Sequence, residues 1–528
     1  MDAVRQTVGL LLLLMMPLCV TAQSRGVIRG NCTPGLAGTD DQTISSSVDR
    51  SGVRKAPSRQ LPTPKIDWDP NRIYRQPVIL IAFSDKDFSL EHPRETYDSI
   101  FNYSGFNMGA GPGCVADYFR EQSGGLFNLQ FDVFGPYKVT QKAKRQANAN
   151  ENTREYGTYA MLEATQMWIA EDTSRQHGDY DWNGDKNIDQ IIYVHAGFAG
   201  NQSDEKSYGH IWPNTSSFSY AMIQTHDDYR IPNYTCSGEM QVNGKSWGIG
   251  TICHEFSHSL GLPDIYPVPP VQSAGYSVVD EWDLMDGGNF TNSGWCPPNY
   301  SGLERMLMGW QSPIELTTPA TITGMKALSE GGPVYMIRHT DSEYYLLENR
   351  QWSRWDQRLP GRGLVVFHVD YDRGIWAGNG VNEKRNHRRY QLVNADGMDY
   401  DAWDKVIGDE NPYVKGHSRY LSTSPYPWAT DSTDFVNDLL TDSSNPASVM
   451  FNNNAAGSKF LSKALTNIRM TDDGLISFDF MGGDPSAVQI VRNEDGEDSW
   501  YSLQGRRILG KPQRRGIYIH NGKKESIR

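Results

Sequence analysis

The stretch His254-Glu255-Phe256-Ser257-His258-Ser259-Leu260-Gly261-Leu262-Pro263-Asp264 decides how this chain is interpreted. Side chains four residues apart lie on one face of a helix, so His254 and His258 can bind the same metal ion. Glu255 stands beside the first histidine, where a carboxylate can take a proton from an attacking water molecule. This HExxH pattern predicts a zinc site with Glu255 as the catalytic base.

The residues after the second histidine offer a third ligand. Gly261 tolerates a left-handed backbone and Pro263 prevents the helix from resuming, so the chain can fold back and present Asp264 to the metal. The spacing is that of metzincins, with aspartate in place of the usual histidine. Glu304, in a short helix predicted within 300–310, is the alternative third ligand, in which case Asp264 caps the turn or binds a structural cation.

The composition bounds the class of protein. The chain has 528 residues and a net charge of −13, which argues against nucleic acid and anionic membrane surfaces as partners. Its 50 glycines and 27 tyrosines, spread among short apolar runs, indicate many strands and turns.

The N-terminus predicts export. Arg5 precedes an apolar run from Val8 to Met16, and Val20-Thr21-Ala22 supplies the small residues of a cleavage site. We therefore expect a signal peptide over 1–22 and a secreted or cell-surface protein. The run is too short to span a bilayer and no later segment is longer, so we expect no transmembrane anchor. In an oxidising compartment, a Cys236–Cys253 bridge could attach the motif helix to the preceding segment. A set of buried free thiols is the alternative.

The rest of the chain divides into four regions. Residues 23–74 are polar and predict a disordered leader or a short propeptide. Residues 75–311 contain apolar strands at 77–83 and 191–194, and helices at 113–125 and 156–171, before a motif helix that begins near Ser246. Residues 312–483 show short alternating runs typical of antiparallel strands. Residues 484–528 predict two small hairpins. The expected fold class is α+β: a zincin-like or metzincin-like catalytic domain, a β-sandwich-like domain and a small C-terminal β module.

A second metal site is predicted in the first domain. The segment 181–189 places oxygen side chains at alternating positions, as calcium loops do: Asp181, Asn183, Asp185 and Asp189. Lys186 replaces the usual glycine, and Ile192 stands where a calcium loop has glutamate. An Asp/Asn-rich turn is therefore the alternative interpretation.

Further residues could support the zinc site. Met285, before two glycines, could form the methionine turn that metzincins place beneath the metal. Tyr300, Tyr276 and His210 are candidates for stabilising the oxyanion, each weighed against an ordinary packing role.

Together these segments resemble the immune-inhibitor-A-like zinc metallopeptidases. The similarity runs in order through about residues 76–400, including 117–123, 181–197, 250–266, 284–288 and 346–351. The resemblance implies a secreted endopeptidase with one catalytic zinc and structural calcium. The C-terminal module is similar to the sorting tails of Bacteroidetes secreted proteins, which implies cell-surface sorting machinery as a partner.

The sequence thus predicts a monomeric, secreted zinc endopeptidase that acts on proteins or peptides. The alternative is a surface protein that binds proteins or glycans through its β domain and carries a non-catalytic zinc.

Overall fold

The structure is a computed structural model, and it describes most of the chain between residues 67 and 483 together with parts of the C-terminus. The described residues are 67–144, 153–201, 206, 209–218, 223–268, 278–399, 421–429, 436–483, 500–502, 507–508, 511–513, 515–520 and 523–527. The predicted signal peptide, nearly all of the predicted leader, and Tyr276 lie outside these residues.

The first half of the chain is built on one mixed sheet. Its strands and helices, in chain order, are β1 (Ile73–Ala82), α1 (Pro93–Asn102), α2 (Val115–Gln122), β2 (Asn128–Lys138), α3 (Thr153–Glu171), β3 (Ile191–Phe198), β4 (Asn214–Ser217), β5 (Ile223–Gln224), β6 (Arg230–Ile231), β7 (Asn233–Met240) and α4 (Gly250–Ser259). The sheet order is β2-β1-β3-β7-β4. The first four of these strands run parallel and β4 runs antiparallel at the edge. The small hairpin β5–β6 stands apart from this sheet.

Helices cover both faces of the sheet. Val78 and Leu80 of β1 pack into a core that includes Phe256 of α4, whereas Ile79 and Ile81 pack into a core that includes Trp168 of α3. The alternation follows from the two-residue period of a strand. Because both faces are buried, β1 is apolar without interruption from Val78 to Ala82 and β3 from Ile191 to Val194, as the sequence predicts.

The described residues of the second half form two larger sheets and one two-stranded sheet. Its elements are α5 (Gly302–Leu307), β8 (Ile314–Glu315), β9 (Ala320–Met325), β10 (Tyr335–Arg338), β11 (Glu343–Arg350), β12 (Gly363–Asp370), α6 (Arg373–Ala377), β13 (Tyr390–Leu392), β14 (Trp428–Ala429), β15 (Val436–Asn437), β16 (Leu465–Met470) and β17 (Ile476–Phe480). One sheet has the order β13-β12-β11-β10-β8 and the other β16-β17-β9. A core containing Leu347, Val366 and Phe478 lies between them.

The hydrophobic core crosses the predicted domain boundary at 311/312. The core that packs beneath the first sheet also contains Leu346, Phe367 and Tyr390 from the second half. Alternate residues of β11 and β12 therefore face the first half or the second β sheet. In the described residues the two predicted domains share apolar surface.

The described residues of the C-terminus form a further four-stranded sheet. Strands β18 (Trp500–Ser502), β19 (Arg507–Ile508), β20 (Gly516–His520) and β21 (Lys523–Ile527) make a sheet in the order β19-β18-β20-β21. The predicted second hairpin is β20–β21, with Gly516 paired to Ile527.

Two sequence expectations need correction. The predicted Cys236–Cys253 bridge is wrong: both side chains are buried thiols, and the Cys236 thiol donates a hydrogen bond to the Trp212 carbonyl. The motif helix begins at Gly250 rather than near Ser246, and residues 246–249 are not helical. Among the described helices, none combines the length and the apolar character needed to cross a membrane.

Candidate metal centre

The motif helix α4 ends as its sequence predicts. Gly261 adopts φ +104°, a left-handed conformation that favours glycine. Its amide donates to the His258 carbonyl, and the amide of Leu262 donates to the Ser257 carbonyl. These bonds satisfy the last carbonyls of the helix and turn the chain back toward the two histidines.

Three buried side chains converge after this turn. The Asp264 Oδ1 atom lies 3.3 Å from His254 Nε2 and 3.2 Å from His258 Nε2. All three residues are almost fully buried. They form one of two groups, among the described residues, in which three metal-ligating atoms all lie within 4.8 Å of one another.

The tautomers of both histidines follow from their second nitrogens. His254 Nδ1 lies 2.8 Å from the Leu284 carbonyl and His258 Nδ1 lies 2.8 Å from the Leu262 carbonyl. A carbonyl only accepts, so each Nδ1 carries the proton, and in the neutral ring each Nε2 presents a lone pair. Two nitrogen lone pairs and a carboxylate oxygen thus face one point, an arrangement that a zinc ion fits.

Asp264 is the acidic member of this group. Burial alone would raise the pKa of its carboxyl, but the two histidines, when each Nε2 also carries a proton, more than offset that effect and hold the pKa well below its usual range. Asn379 contacts Asp264 twice: its Nδ2 donates to Oδ2 at 2.8 Å, and its Oδ1 accepts from the Asp264 amide at 2.6 Å. The carboxylate is therefore held in its charged form, with Oδ1 turned to the histidines.

Glu304 lies apart from the histidines. It is the third residue of α5 and forms a capping box, in which its Oε2 accepts from the Ser301 amide at 2.7 Å. Burial and the neighbouring Asp283 carboxyl raise the pKa of Glu304 well above its usual range. Glu304 belongs to neither of the two described ligand groups. Its position is explained by helix capping at the start of α5.

Glu255 follows His254 on α4 and is 5% exposed. Its backbone carbonyl accepts a hydrogen bond from the Thr215 hydroxyl of the edge strand β4. Thr215 Oγ1 lies 2.9 Å from Thr235 Oγ1 on β7, which in turn accepts from Gln190 Nε2 at 2.8 Å. Buried polar side chains therefore tie α4 to the sheet at the level of Glu255.

The segment around Met285 packs against the metal-ligand turn. Met285 is fully buried, and its carbonyl accepts from the Ile265 amide at 2.9 Å. The preceding Leu284 supplies the carbonyl that orients His254. The methionine turn stays a prediction from the sequence, and the direct polar contacts of this segment come from backbone atoms.

The two described candidates for stabilising the oxyanion, Tyr300 and His210, have different surroundings. Tyr300 is fully buried, its hydroxyl is hydrogen-bonded to Ser257, and its ring stacks on Trp310 at 5.3 Å, so we assign it a packing role. His210 packs edge-on against Phe198 at 5.7 Å. Burial lowers its pKa to about 4, so it is neutral at physiological pH.

In the predicted calcium loop, the Asp181 carboxylate is occupied by hydrogen bonds from backbone amides of the same loop. The Asp181 carboxylate accepts from the amides of Gly184 at 2.7 Å and Lys186 at 3.0 Å. Asp189 is buried, and burial raises its pKa to about 7. Asp181, Asp185 and Asp189 do not form one of the close ligand groups found among the described residues.

The second close ligand group consists of His177, His226 and Asp227. His177 Nδ1 lies 2.7 Å from Asp227 Oδ1, and His226 Nε2 lies 2.8 Å from the Arg175 carbonyl. These contacts attach the β5–β6 hairpin to the segment that leads into the 181–189 loop.

Sequence reasoning missed the residues that support the ligands from a distance. Asn379 lies 115 positions beyond Asp264, and Thr215 lies 40 positions before Glu255. An asparagine or a threonine in an unremarkable segment gives no local signal, since its role depends on which strands and loops become neighbours.

Comparison with known proteins points to the same region. Residues 61–307 match the family profile described as Immune inhibitor A peptidase M6, catalytic domain. The chain is 22% identical over 335 residues to Immune inhibitor A of Bacillus thuringiensis subsp. alesti, covering 57% of this chain and 47% of that protein. It is 19% identical over 249 residues to Pre-pro-metalloprotease PrtV of Vibrio cholerae serotype O1 (strain M66-2), covering 43% of this chain and 26% of that protein.

The chain thus spans about half of the first relative and about a quarter of the second. The profile match includes both histidines, Glu255 and Asp264, and it ends before Asn379. The region similar to the immune inhibitor A peptidase M6 catalytic domain thus contains the three residues of the metal-ligand group and Glu255.

Proposed function

We propose that this chain is a secreted zinc-dependent endopeptidase that hydrolyses peptide bonds in proteins. The observation that carries the proposal is the convergence of His254 Nε2, His258 Nε2 and Asp264 Oδ1 on one point, on the helix that also carries Glu255. Three protein ligands and an adjacent carboxylate are what a catalytic zinc site requires, since such sites keep one position open.

Each residue has a defined part in the proposed reaction. His254, His258 and Asp264 hold the metal, which when bound supplies Lewis acidity and lowers the pKa of water. Glu255 accepts the proton of the attacking water and passes it to the leaving amine. The Leu284 and Leu262 carbonyls hold the histidine rings in the tautomer that binds metal.

Casein cleavage by the Glu255→Gln variant tests this proposal. We expect the wild-type protein to cleave casein, to stop when a chelator is added and to resume with zinc. The variant should keep one zinc per chain and lose about 10²–10⁴-fold in cleavage rate, the usual contribution of a catalytic base. Undiminished cleavage by the variant would refute the role of Glu255.

The alternative function is binding of proteins or glycans, with zinc in a structural role. Structural zinc sites are usually closed by four protein ligands, and the described residues supply a group of three. Stoichiometric zinc in a wild-type protein that cleaves neither casein nor unfolded proteins would favour this alternative.

Calcium binding by Asp181, Asn183, Asp185 and Asp189 remains a prediction from the sequence. What supports it is the buried position of Asp189 beneath a loop rich in carboxylates. Calorimetry with calcium, comparing the wild-type chain with Asp181→Ala, tests it. Equal heats for the two proteins would exclude this loop.

Export and attachment also remain predictions. We propose that 1–22 is removed as a signal peptide and that 484–528 engages surface-sorting machinery. The mass of the mature protein checks the removal of 1–22, and its recovery from the culture medium or from the cell surface checks attachment.

A further inference from the structure

The residue that orients Asp264 comes from the second half of the chain. Asn379 lies just after α6, beyond the region that matches the peptidase profile. We propose that Asn379 is a positioning residue for the metal centre. Through the loop 378–382, the second half of the chain thus orients one of the zinc ligands of the catalytic site. This inference rests on the proposed function, because it concerns how the same zinc ligands are held.

Asn379 contacts Asp264 at two points. Asn379 Oδ1 accepts from the Asp264 backbone amide, and Asn379 Nδ2 donates to Asp264 Oδ2. One bond fixes the main chain of Asp264 and the other fixes the rotation of its carboxylate. Because Oδ2 is held by Asn379, Oδ1 is the oxygen that faces the histidines.

Asparagine suits position 379 in both its side chain and its backbone conformation. The contact requires a donor and an acceptor on one short planar group, which an asparagine amide supplies. Position 379 has φ +57°, a left-handed conformation in which asparagine is several-fold enriched among residues other than glycine. Asn379 is also 6% exposed, so water does not compete freely for these bonds.

The loop 378–382 is anchored on both sides. Asn382 Nδ2 donates to the Ile265 carbonyl at 2.8 Å and to the Tyr390 carbonyl at 2.9 Å. The Tyr390 amide donates back to Asn382 Oδ1 at 3.2 Å. The loop is thus held to β13 and to the residue after Asp264, so the Asn379 contact is built into the fold.

The consequence concerns metal affinity. Groups that orient metal ligands typically contribute about 10–100-fold to affinity, because a ligand that rotates must be ordered again on binding. Without the Asn379 amide, the Asp264 carboxylate would be a buried charge with one fewer donor and a freer rotation. We therefore expect the loss to appear in zinc binding itself, before any effect on catalysis.

The test uses the full chain and the variant Asn379→Gly. Glycine accepts the left-handed backbone at 379 and removes only the amide side chain. Zinc affinity is measured by competition with a chromophoric chelator, and the ligand geometry by the visible spectrum of the cobalt-substituted protein. We expect zinc binding about 10–100-fold weaker than wild type and an altered cobalt spectrum.

Asn437→Gly is the matched control. Asn437 is also buried in the second half, and its Nδ2 donates to the carbonyls of Ala395 and Asn445 at 2.6 and 3.1 Å. The control should lower the melting temperature while leaving zinc affinity and the cobalt spectrum unchanged. If Asn379→Gly does not fold, Asn379→Asp keeps the shape and the acceptor but replaces the donor, and should weaken zinc binding in the same way.

Two failures can be told apart. A wild-type chain that binds no zinc would overturn the proposed function. A wild-type chain that binds zinc tightly, together with a folded Asn379→Gly variant of equal affinity and equal cobalt spectrum, would overturn the positioning role of Asn379 alone.

Discussion

At the scale of single residues, two carboxyls that the sequence could not separate have opposite environments. Asp264 lies between two histidines and an amide donor, which stabilise its charged form. Glu304 is buried against another carboxyl, Asp283, which favours its protonated form. A charged oxygen can bind zinc, whereas a protonated carboxyl is a poor ligand.

Isosteric amides at these two positions should therefore behave differently. We expect Asp264→Asn to weaken zinc binding by more than about 100-fold, beyond the range of an orienting residue. Glu304→Gln should leave zinc affinity unchanged, since an amide oxygen can still accept from Ser301. Chelator competition on both variants decides the point, and loss of zinc in Glu304→Gln alone would reverse the assignment.

The pKa of Asp189 gives a pH dependence with a defined sign. Its folded value of about 7 lies above its ordinary 3.8, so the neutral form stabilises the fold below about pH 4 and that stability is lost as pH rises to about 7. In calcium-free buffer, the wild-type free energy of unfolding should fall relative to Asp189→Asn by up to roughly 1.4 kcal/mol per pH unit over this interval.

Urea unfolding at several pH values checks this expectation. Asp185→Asn, on the exposed part of the same loop, should retain most of the wild-type slope. A constant difference between wild type and Asp189→Asn from pH 4 to 7 would contradict it.

At the scale of elements, the sequence predicted the features that depend only on neighbouring residues. The spacing of His254 and His258 and the turn at Gly261 depend on neighbouring residues, and the structure has them as expected. The supports of α4 depend on strand order. Thr215 reaches the Glu255 carbonyl because β4 forms the antiparallel edge beside β7, which no pattern along the chain indicates.

Removing the hydroxyl of Thr215 should loosen α4. Thr215→Val keeps the shape and deletes the donor to the Glu255 carbonyl, and we expect a loss of about 1–3 kcal/mol in the free energy of unfolding. Thr215→Ser retains the hydroxyl and should lose less. Urea denaturation measures both, and equal stability of the valine variant and wild type would show that this bond is dispensable.

At the scale of the whole molecule, the second half of the chain is joined to the first by charge as well as by apolar contacts. The buried Arg350 makes two 2.8 Å bonds to Asp356 and one of 3.2 Å to Glu348. Arg350 also donates to the Asn299 carbonyl at 3.2 Å, while Glu348 accepts from the Gly302 amide. The alternating pattern along the chain predicted a β domain beginning at 312, and such a local pattern carries no record of these long-range contacts.

Breaking this buried network should destabilise both halves together. Arg350→Met leaves two buried carboxylates without their cation, and we expect a loss of about 3–5 kcal/mol. Arg338→Met, which breaks a more accessible pair with Glu315, should cost about 1 kcal/mol or less. Hydrogen exchange should show faster opening of α4 as well as β11 in Arg350→Met, and an effect confined to β11 would argue for independent domains.

We propose that one zinc ion is bound by His254, His258 and Asp264. Anomalous diffraction from crystals of the zinc-loaded chain at the zinc absorption edge tests it most directly. We predict one strong peak about 2 Å from His254 Nε2, His258 Nε2 and an Asp264 carboxylate oxygen. A peak at Glu304 instead, or zinc bound only at the His177–His226–Asp227 group, would contradict the binding of zinc by His254, His258 and Asp264.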